Sequence, residues 1–291
     1  MDYHGRFAPS PTGRLHFGSL VAAVASWLCA RHAGGRWLVR MEDLDPPREV
    51  AGAASSILAA LSAFGLIADE PVLFQSHRRA AYDAAFEQLR ATGHLFACTC
   101  SRTELAATGG FHDDGRCVGA DEPGRAPAWR LRAPDVDIQF HDTLQGAQRQ
   151  NLRQQVGDFV IRRADGIYSY QLACVVDDAF QQVTEVVRGH DLLDSTPRQI
   201  WLQRCLGLPM PAYRHLPLVL DTDGRKLSKS TQALPVDAAD PLPALRSAAT
   251  FLTLPVAGSA NTVQELLANM LDRFDPDRLP RRNRGWTAKP S

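Results

Sequence analysis

Two short stretches, far apart in the chain, carry side chains that suit a nucleoside triphosphate. In residues 6–20 (RFAPSPTGRLHFGSL), an apolar start leads into a turn of Pro, Ser and Gly, which contains His16-x-Gly18. Backbone N–H groups at a following helix start could bind an anion there, and the glycine permits close approach. In residues 226–230 (KLSKS), two lysines with interleaved hydroxyls could neutralise phosphate charge.

Taken separately, each stretch also has an ordinary structural explanation. Residues 6–20 match neither the Walker A pattern nor the G-x-G-x-x-G fingerprint, so a plain strand-to-helix turn would explain them equally well. Residues 226–230 are likewise compatible with a solvated surface loop. The two stretches together favour a nucleotide site.

Acidic and basic residues at the ends of predicted strands are a second group of candidates. Residues 36–41 read as a buried strand that Glu42 follows, and ligands gather at this end of parallel strands. Glu42 could hold an ammonium group, whereas Asp45 is expected to cap a helix over residues 48–64. Arg188 ends another buried strand and needs a carboxylate, from Asp191, Asp194 or a ligand.

A third group of candidates is the densest cysteine region, Cys98, Cys100 and Cys117, with His112 in the loop between them. Structural zinc takes four thiolate or imidazole ligands, although C-x-C is tighter than the usual C-x₂₋₄-C pair. Two buried thiols beside a surface histidine are the alternative. The clustering favours a metal, and the other cysteines, Cys29, Cys174 and Cys205, are expected to be buried thiols.

The elements that must position these residues alternate between strand and helix. Helices are predicted over residues 20–30, 78–92 and 196–206, and the alternation favours a parallel sheet with crossover helices. The aromatic face of the second helix, with Tyr82 and Phe86, is expected to be core. The basic stretch 278–284 is expected to be a frayed end, with an RNA phosphate contact as the alternative.

Bulk composition excludes several classes of protein. The 291 residues are 45% hydrophobic and 22% charged, with a formal charge of +0, so any RNA-binding surface must be local. No apolar run reaches the roughly 18–20 residues of a membrane span, and no secretory signal is recognised. Six cysteines without a signal favour reduced thiols or a metal over a disulfide scaffold, so a cytoplasmic setting is expected. The protein is also expected to be a monomer.

The early His-x-Gly and the late Lys-Leu-Ser-Lys-Ser resemble the HIGH and KMSKS signatures of class I aminoacyl-tRNA synthetases. The wording of residues 6–19, with Arg40-x-Glu42-Asp43-Leu44-Asp45, is similar to the glutamyl/glutaminyl branch. The resemblance covers residues 5 to about 235. It implies an α/β fold with a Rossmann-type parallel sheet, and a ligase that activates L-glutamate with ATP and Mg²⁺ as a glutamyl-adenylate.

The resemblance also implies roles for individual residues. His16 and Lys229 would be catalytic, at the phosphates and the leaving pyrophosphate. ATP would be bound by His16, Gly18, Ser19, Lys226, Ser228 and Lys229, and glutamate by Arg6, Ala8, Ser10, Glu42, Tyr170 and Arg188. Ser19 replaces the usual second histidine of the motif and can donate one hydrogen bond but no charge. A core role at a helix start is the alternative for Tyr170.

The chain also resembles the glutamyl-queuosine synthetases, and this resemblance implies a zinc site whose ligands in that family are Cys, Cys, Tyr and Cys. No tyrosine lies between Cys100 and Cys117, so the expected set is Cys98, Cys100, His112 and Cys117, with Asp113 as the alternative to His112. Four segments are expected: residues 1–94 and 158–235 as two halves of the catalytic domain, 95–157 as an inserted zinc-binding acceptor subdomain, and 236–291 as a helical C-terminal segment.

The expected acceptor of the glutamyl group depends on the length of the chain after residue 230. This part is expected to be too short to form the anticodon-binding region of a full glutamyl-tRNA synthetase. The resemblance therefore favours transfer of glutamate to queuosine at the anticodon of tRNA(Asp). A truncated glutamyl-tRNA synthetase that charges a 3′ end, and a non-catalytic tRNA-binding paralogue, are the alternatives. Intact Arg6, His16, Glu42 and Lys229 argue against the paralogue.

Overall fold

Strands and helices alternate through the part of the chain that the computed structural model describes, residues 2–107, 112, 117, 124–220, 236–255 and 260–285. The strands are β1 (His4–Phe7), β2 (Arg36–Met41), β3 (Leu73–Phe74), β4 (Leu95–Cys98), β5 (Ala128–Leu131), β6 (Asp137–Asp142), β7 (Gly146–Asn151), β8 (Phe159–Arg162), β9 (Glu185–Gly189), β10 (Ala212–Leu216), β11 (Val219–Leu220) and β12 (Arg284–Gly285). The helices are α1 (Phe17–His32), α2 (Ala53–Ala63), α3 (Arg79–Ala91), α4 (Arg102–Ala107), α5 (Leu152–Gln155), α6 (Tyr170–Phe180), α7 (Thr196–Leu206), α8 (Pro241–Phe251) and α9 (Val263–Asp272).

The first sheet is parallel, with strand order β1-β2-β3, and α1 packs against it. The alanines of α1 favour helix and let it lie close to the strands, and ten of its residues are buried. The helix ends where Gly34 takes a φ of 65°, a conformation that glycine adopts without strain. The N-terminus of α1 therefore faces the carboxyl ends of β1 and β2.

The second sheet has strand order β7-β6-β10-β9, and its three strands β6, β10 and β9 run parallel. It lies beside the first sheet, because Thr184 N donates to His4 O at the start of β9. Its register places His215 of β10 opposite Arg188 of β9. β7 is a polar edge strand (GAQRQN), and its composition gave no strand signal in the sequence.

The third sheet, β4-β5-β8, is antiparallel and adjoins α3. Strands from residues 95–157 thus pair with strands that follow that range, β6 with β10 and β5 with β8. The division into residues 1–94, 95–157, 158–235 and 236–291 remains a prediction. None of the described helices combines the length and the apolar composition that a membrane span requires.

Two hydrophobic clusters form the core, one around α1 and the C-terminal helices and the other around α3, α6 and α7. Tyr82, Phe86 and Leu89 lie in the second cluster, so the prediction that they are core residues is confirmed. The predicted helix over residues 196–206 is confirmed as α7, and β2 has the predicted bounds.

The helix predicted over residues 48–64 begins later than expected. A 3₁₀ turn (Pro46–Arg48) comes first, and α2 starts after Gly52, whose φ is 76°. Within the described part of the chain, the Asp45 side chain makes no capping hydrogen bond, so the capping prediction was wrong. Its carboxylate instead pairs with Arg48 and Arg163, because two cations are within reach.

The basic stretch 278–284 was expected to be frayed, and this was also wrong. Arg284–Gly285 forms β12, which pairs in parallel with β11. Leu218 N donates to Asn283 Oδ1, and Gln145 Nε2 donates to Arg281 O. Backbone and amide hydrogen bonds anchor this stretch, while the Arg278 side chain stays exposed beside Asp275.

Candidate functional site

A cavity of about 690 Å³ opens at the carboxyl ends of β1, β2 and β9, against the N-terminus of α1. Nine of the residues predicted for the site line it together: Arg6, Ala8, Ser10, His16, Gly18, Ser19, Glu42, Tyr170 and Arg188. They converge because strand ends of a parallel arrangement meet at one edge. Lys226, Ser228 and Lys229 lie outside the described residues.

The described residues that flank the lysine stretch lie at the same cavity. Val219, in β11, lines the cavity. On the other side of the gap, Val236 N donates to Leu15 O at 3.0 Å, and Leu15 also lines the cavity. Both ends of the segment that carries the lysines are therefore fixed at the cavity.

His16 occupies the position before the first turn of α1. Its Nδ1 accepts from Ser19 N at 3.3 Å, and Ser19 Oγ lies 2.9 Å from its Nε2. The imidazole is thereby held at the positive end of the helix dipole, where backbone N–H groups also point outward. This is a place where an anionic phosphate would be stabilised.

Arg188 is buried in the cavity wall, 5% exposed, and its hydrogen-bond partners among the described residues are neutral. Its Nε donates to His215 Nε2 at 3.0 Å, and its NH2 donates to Thr196 Oγ1 at 2.8 Å and to Leu192 O at 3.2 Å. Among the ion pairs of the described residues, none joins Arg188 to a carboxylate. Of the partners considered from the sequence, Asp191, Asp194 or a ligand, the ligand is therefore favoured.

Tyr170 lies at the start of α6 and contacts Arg188 from within the cavity wall. Arg188 NH1 lies 3.4 Å from its hydroxyl, which can accept a hydrogen bond. Burial raises the pKa of Tyr170 well above its usual value, although the Arg188 charge acts in the opposite direction. The hydroxyl therefore stays protonated and can offer a hydrogen bond to a ligand oxygen.

Arg6 is buried beside a second arginine that the sequence reasoning did not identify. Asp178 Oδ1 accepts from Arg6 Nε at 3.2 Å and from Arg40 NH1 at 2.7 Å. Arg6 NH1 donates to Val187 O at 3.4 Å. Asp178 is thus shared by two buried guanidinium groups, and Glu42, 3.6 Å from Arg40 NH2, also compensates the charge of Arg40.

Glu42 faces the cavity from the end of β2. Its backbone N donates to Pro9 O, its Oε1 accepts from the thiol of Cys174 at 3.2 Å, and Arg40 NH2 lies 3.6 Å from the same oxygen. Burial raises the pKa of Glu42, while Arg40 acts in the opposite direction. A ligand ammonium group would favour the ionised carboxylate.

The four residues predicted to hold zinc come together after β4. The ligand atoms of Cys98, Cys100, His112 and Cys117 all lie within 4.8 Å of one another. His112 is buried, so the alternative of a surface histidine was wrong. Asp113, the other candidate for the fourth ligand, lies outside the described residues.

The donor set fits a metal ion. His112 Nδ1 lies 3.1 Å from Asp158 Oδ2, while its buried Nε2 has no hydrogen-bond partner in the part of the chain that the structure describes. A metal-bound histidine characteristically gives its other nitrogen to a carboxylate. Arg130 Nε donates to Cys98 Sγ at 3.1 Å, which suits a thiolate.

Sequence reasoning missed several buried polar residues that support the site. Arg40 carried a signal, since it is a charge within a strand predicted to be buried, and it is 0% exposed. Cys174 was predicted to be a buried thiol, which it is, but its contact with Glu42 was not foreseen. His215 and Asp142 contact each other but gave no local signal, because they are 73 residues apart in the sequence.

Comparison with known proteins adds three findings. A family model for the catalytic domain of class I tRNA synthetases (E and Q) matches residues 3–122 and 116–246. A glutamyl-Q tRNA(Asp) synthetase of Xanthomonas campestris pv. campestris is 56% identical, over 97% of this chain and 94% of the relative. Another, of Burkholderia cenocepacia, is 54% identical over 94% of this chain and 98% of the relative.

A solved structure agrees in fold. The glutamate tRNA ligase from Elizabethkingia meningosepticum, in complex with its amino acid, superimposes with a TM-score of 0.82 at 26% identity. The match covers 99% of this chain and 68% of that chain. The α/β fold expected from the sequence is therefore confirmed.

Proposed function

The chain belongs to the family of class I glutamyl and glutaminyl tRNA synthetases, and to the glutamyl-Q tRNA(Asp) synthetases within it, so we propose that it activates L-glutamate with ATP and transfers the glutamyl group to queuosine in tRNA(Asp). The first product is glutamyl-adenylate with release of pyrophosphate. A hydroxyl of the modified base then attacks the activated carbonyl, and AMP leaves. No covalent enzyme intermediate is needed, because positioning and charge stabilisation can provide the acceleration.

The observation that carries this proposal is the buried cation Arg188, whose protein partners among the described residues are uncharged. A buried guanidinium without a carboxylate at hydrogen-bonding distance is costly, so the cavity favours a ligand that brings one. Glu42 in the same cavity complements an ammonium group. An acidic amino acid carries both groups.

The remaining predicted residues divide between the two substrates. We assign Arg6, which lines the same cavity as Arg188, to the glutamate carboxylate as well, and Tyr170 would offer its hydroxyl. Ala8 and Ser10 complete the wall. His16, Gly18 and Ser19, at the N-terminus of α1, suit the ATP phosphates. We assign Lys226, Ser228 and Lys229 to the same phosphates, because the described ends of their segment lie at this cavity. Mg²⁺ would arrive with the nucleotide.

We further propose that the cysteine cluster holds a structural zinc ion. Cys98, Cys100 and Cys117 would supply thiolates and His112 its Nε2, and the ion would cross-link the chain between β4 and β5. Such a site has no open position and contributes to folding rather than to the reaction.

The choice of acceptor rests on the relatives, which are named for tRNA(Asp) and match this chain over nearly their whole length. The two substrates ATP and tRNA are those of the cytoplasm, where we place the protein as a monomer.

The decisive experiment measures transfer of labelled glutamate to tRNA(Asp) with and without queuosine, and to tRNA(Glu). The expected result is incorporation that requires both ATP and queuosine. Charging of unmodified tRNA(Glu) at its 3′ end would instead establish the truncated synthetase. If no ATP–pyrophosphate exchange with glutamate is detected in the presence of tRNA, the result would support the remaining alternative, a non-catalytic tRNA-binding paralogue.

A further inference from the structure

His215 lies at the centre of a row of three buried side chains that ends at the proposed glutamate pocket. Asp142 at the end of β6, His215 in β10 and Arg188 in β9 come from three neighbouring strands of one sheet. His215 and Asp142 are 0% exposed, and Arg188 is directly opposite His215 in the parallel register. The row therefore connects the β6–β7 hairpin to the wall of the cavity.

The contacts in this row determine which nitrogen of the imidazole carries the proton. Arg188 Nε donates to His215 Nε2 at 3.0 Å, and a guanidinium nitrogen cannot accept, so Nε2 must be the acceptor. His215 Nδ1 then donates to Asp142 Oδ2 at 2.6 Å. The histidine is neutral, with one tautomer selected by its two neighbours.

The electrostatic surroundings of His215 agree with this neutral form. Burial lowers the pKa of His215 to about 4; the hydrogen bond to Asp142 acts against this shift, while the charges of Arg188 and His190 add to it. Tyr213, on the same strand, stacks on the imidazole. Near neutral pH the ring therefore remains an uncharged acceptor.

The neutral ring has a consequence for Arg188. A direct ion pair between Arg188 and Asp142 would also orient the guanidinium group. It would, however, neutralise the positive charge that attracts the carboxylate of a ligand. Because the imidazole stands between them, the carboxylate fixes the histidine and the histidine fixes the arginine, while the charge on Arg188 is not neutralised at contact distance. The uncharged Thr196 hydroxyl accepts a hydrogen bond from Arg188 NH2 and so also holds the guanidinium group.

We propose that His215 is a positioning residue for substrate recognition, holding Arg188 through a neutral imidazole so that its charge is available to the side-chain carboxylate of the amino acid. This inference rests on the proposed function, since it concerns the same pocket. Asp142 acts one step further away, by selecting the tautomer of His215.

The test compares three substitutions of His215 that separate shape from charge. In His215→Gln the side chain can still accept a hydrogen bond from Arg188. In His215→Glu the side chain has the same shape as glutamine but carries a negative charge. His215→Leu removes the acceptor. KM for glutamate, KM for ATP and kcat are measured by ATP–pyrophosphate exchange in the presence of tRNA(Asp). We expect His215→Gln to keep the KM for glutamate within about threefold of wild type, and the other two to raise it by about tenfold or more with little change in the KM for ATP.

His141→Gln, an exposed histidine on the same hairpin, serves as the matched control and should behave as wild type. If His215→Glu does not fold, the comparison of Gln with Leu decides alone. An unchanged KM for glutamate in folded His215→Leu would overturn the inference, as would equal losses in kcat and both KM values for Gln and Leu. Wild-type protein without glutamate-dependent exchange would overturn the proposed function itself, which distinguishes the two failures.

Discussion

Asp178 Oδ1 accepts hydrogen bonds from Arg6 and Arg40, and all three side chains are buried, with Arg40 wholly so. Burial alone would raise the pKa of Asp178, but the two arginines lower it below its usual value. The carboxylate is thus ionised and compensates charges that cannot reach water. Its removal would leave two guanidinium groups with a reduced counter-charge next to the cavity. We therefore infer that Asp178 is important both for stability and for the orientation of the Arg6 side chain.

Replacement of Asp178 by Asn should therefore lower the free energy of unfolding by about 3 kcal/mol or more, as expected when a buried ion pair loses one partner. Urea denaturation measures this change. Glu70→Gln is the matched control, because Glu70 pairs with Arg36 at the same 2.7 Å that separates Asp178 from Arg40, but at the surface. The control should cost less than about 1 kcal/mol. Equal losses for the two variants would contradict the assignment.

At the scale of elements, Asp158 holds together the chain between β4 and β8 through hydrogen bonds of its side chain and its backbone. Asp158, just before β8, holds His112 through Oδ2 and accepts from Ala133 N through Oδ1. Its backbone N donates to His112 O, and its carbonyl accepts from Arg130 NH1. The proposed metal site is therefore fixed to the same strand that leads into the pocket residues of α6.

If Asp158 orients the imidazole for a metal, Asp158→Asn should weaken zinc affinity by roughly 10–100-fold. Competition with a chelator measures the affinity, and the thiolate absorption bands of the Co²⁺-substituted protein report the ligand set. Asp165→Asn is the control, since Asp165 is an exposed residue that follows β8 and pairs with Arg163. Well under one zinc per chain in purified wild-type protein would exclude the metal, and unchanged affinity in Asp158→Asn would exclude the role of Asp158.

At the scale of the whole molecule, several buried groups make the stability depend on pH. The folded state holds His215 neutral, with its pKa lowered from 6.5 to about 4, so the unfolded chain binds more protons between these values. Stability consequently rises with pH in that window and is lost as pH falls through it. Asp142 and Asp178, whose pKa values are also lowered, extend the loss to more acidic pH, whereas Glu42, with its raised pKa, acts in the opposite direction.

From pH 7 to pH 5, His215 alone should remove roughly 2 kcal/mol from the free energy of unfolding. Urea denaturation of wild type and His215→Gln at pH 7, 6 and 5 isolates this contribution, because glutamine does not titrate. The difference in stability between the two proteins should shrink as pH falls. A difference that is independent of pH would show that the folded state does not hold His215 neutral.

Much of the fold could be predicted because its signals are local. A buried strand such as β2 and a helix such as α7 are continuous in sequence, and both have their predicted bounds. The edge strand β7 and the anchored stretch that ends in β12 could not be predicted in this way, because their stability comes from pairing with distant strands rather than from their own composition.

The sequence by itself determined the fold class, the family and the identities of nine residues that line the cavity, because short motifs and spacing preserve this information. Only the tertiary structure decided which of them are charge-compensated. It shows Arg6 paired with Asp178 and Arg188 held by neutral His215, contacts that span 172 and 27 residues. The physical reason is that burial and counter-charge depend on what the folded chain brings within a few ångströms, and this proximity is not encoded by neighbours in sequence.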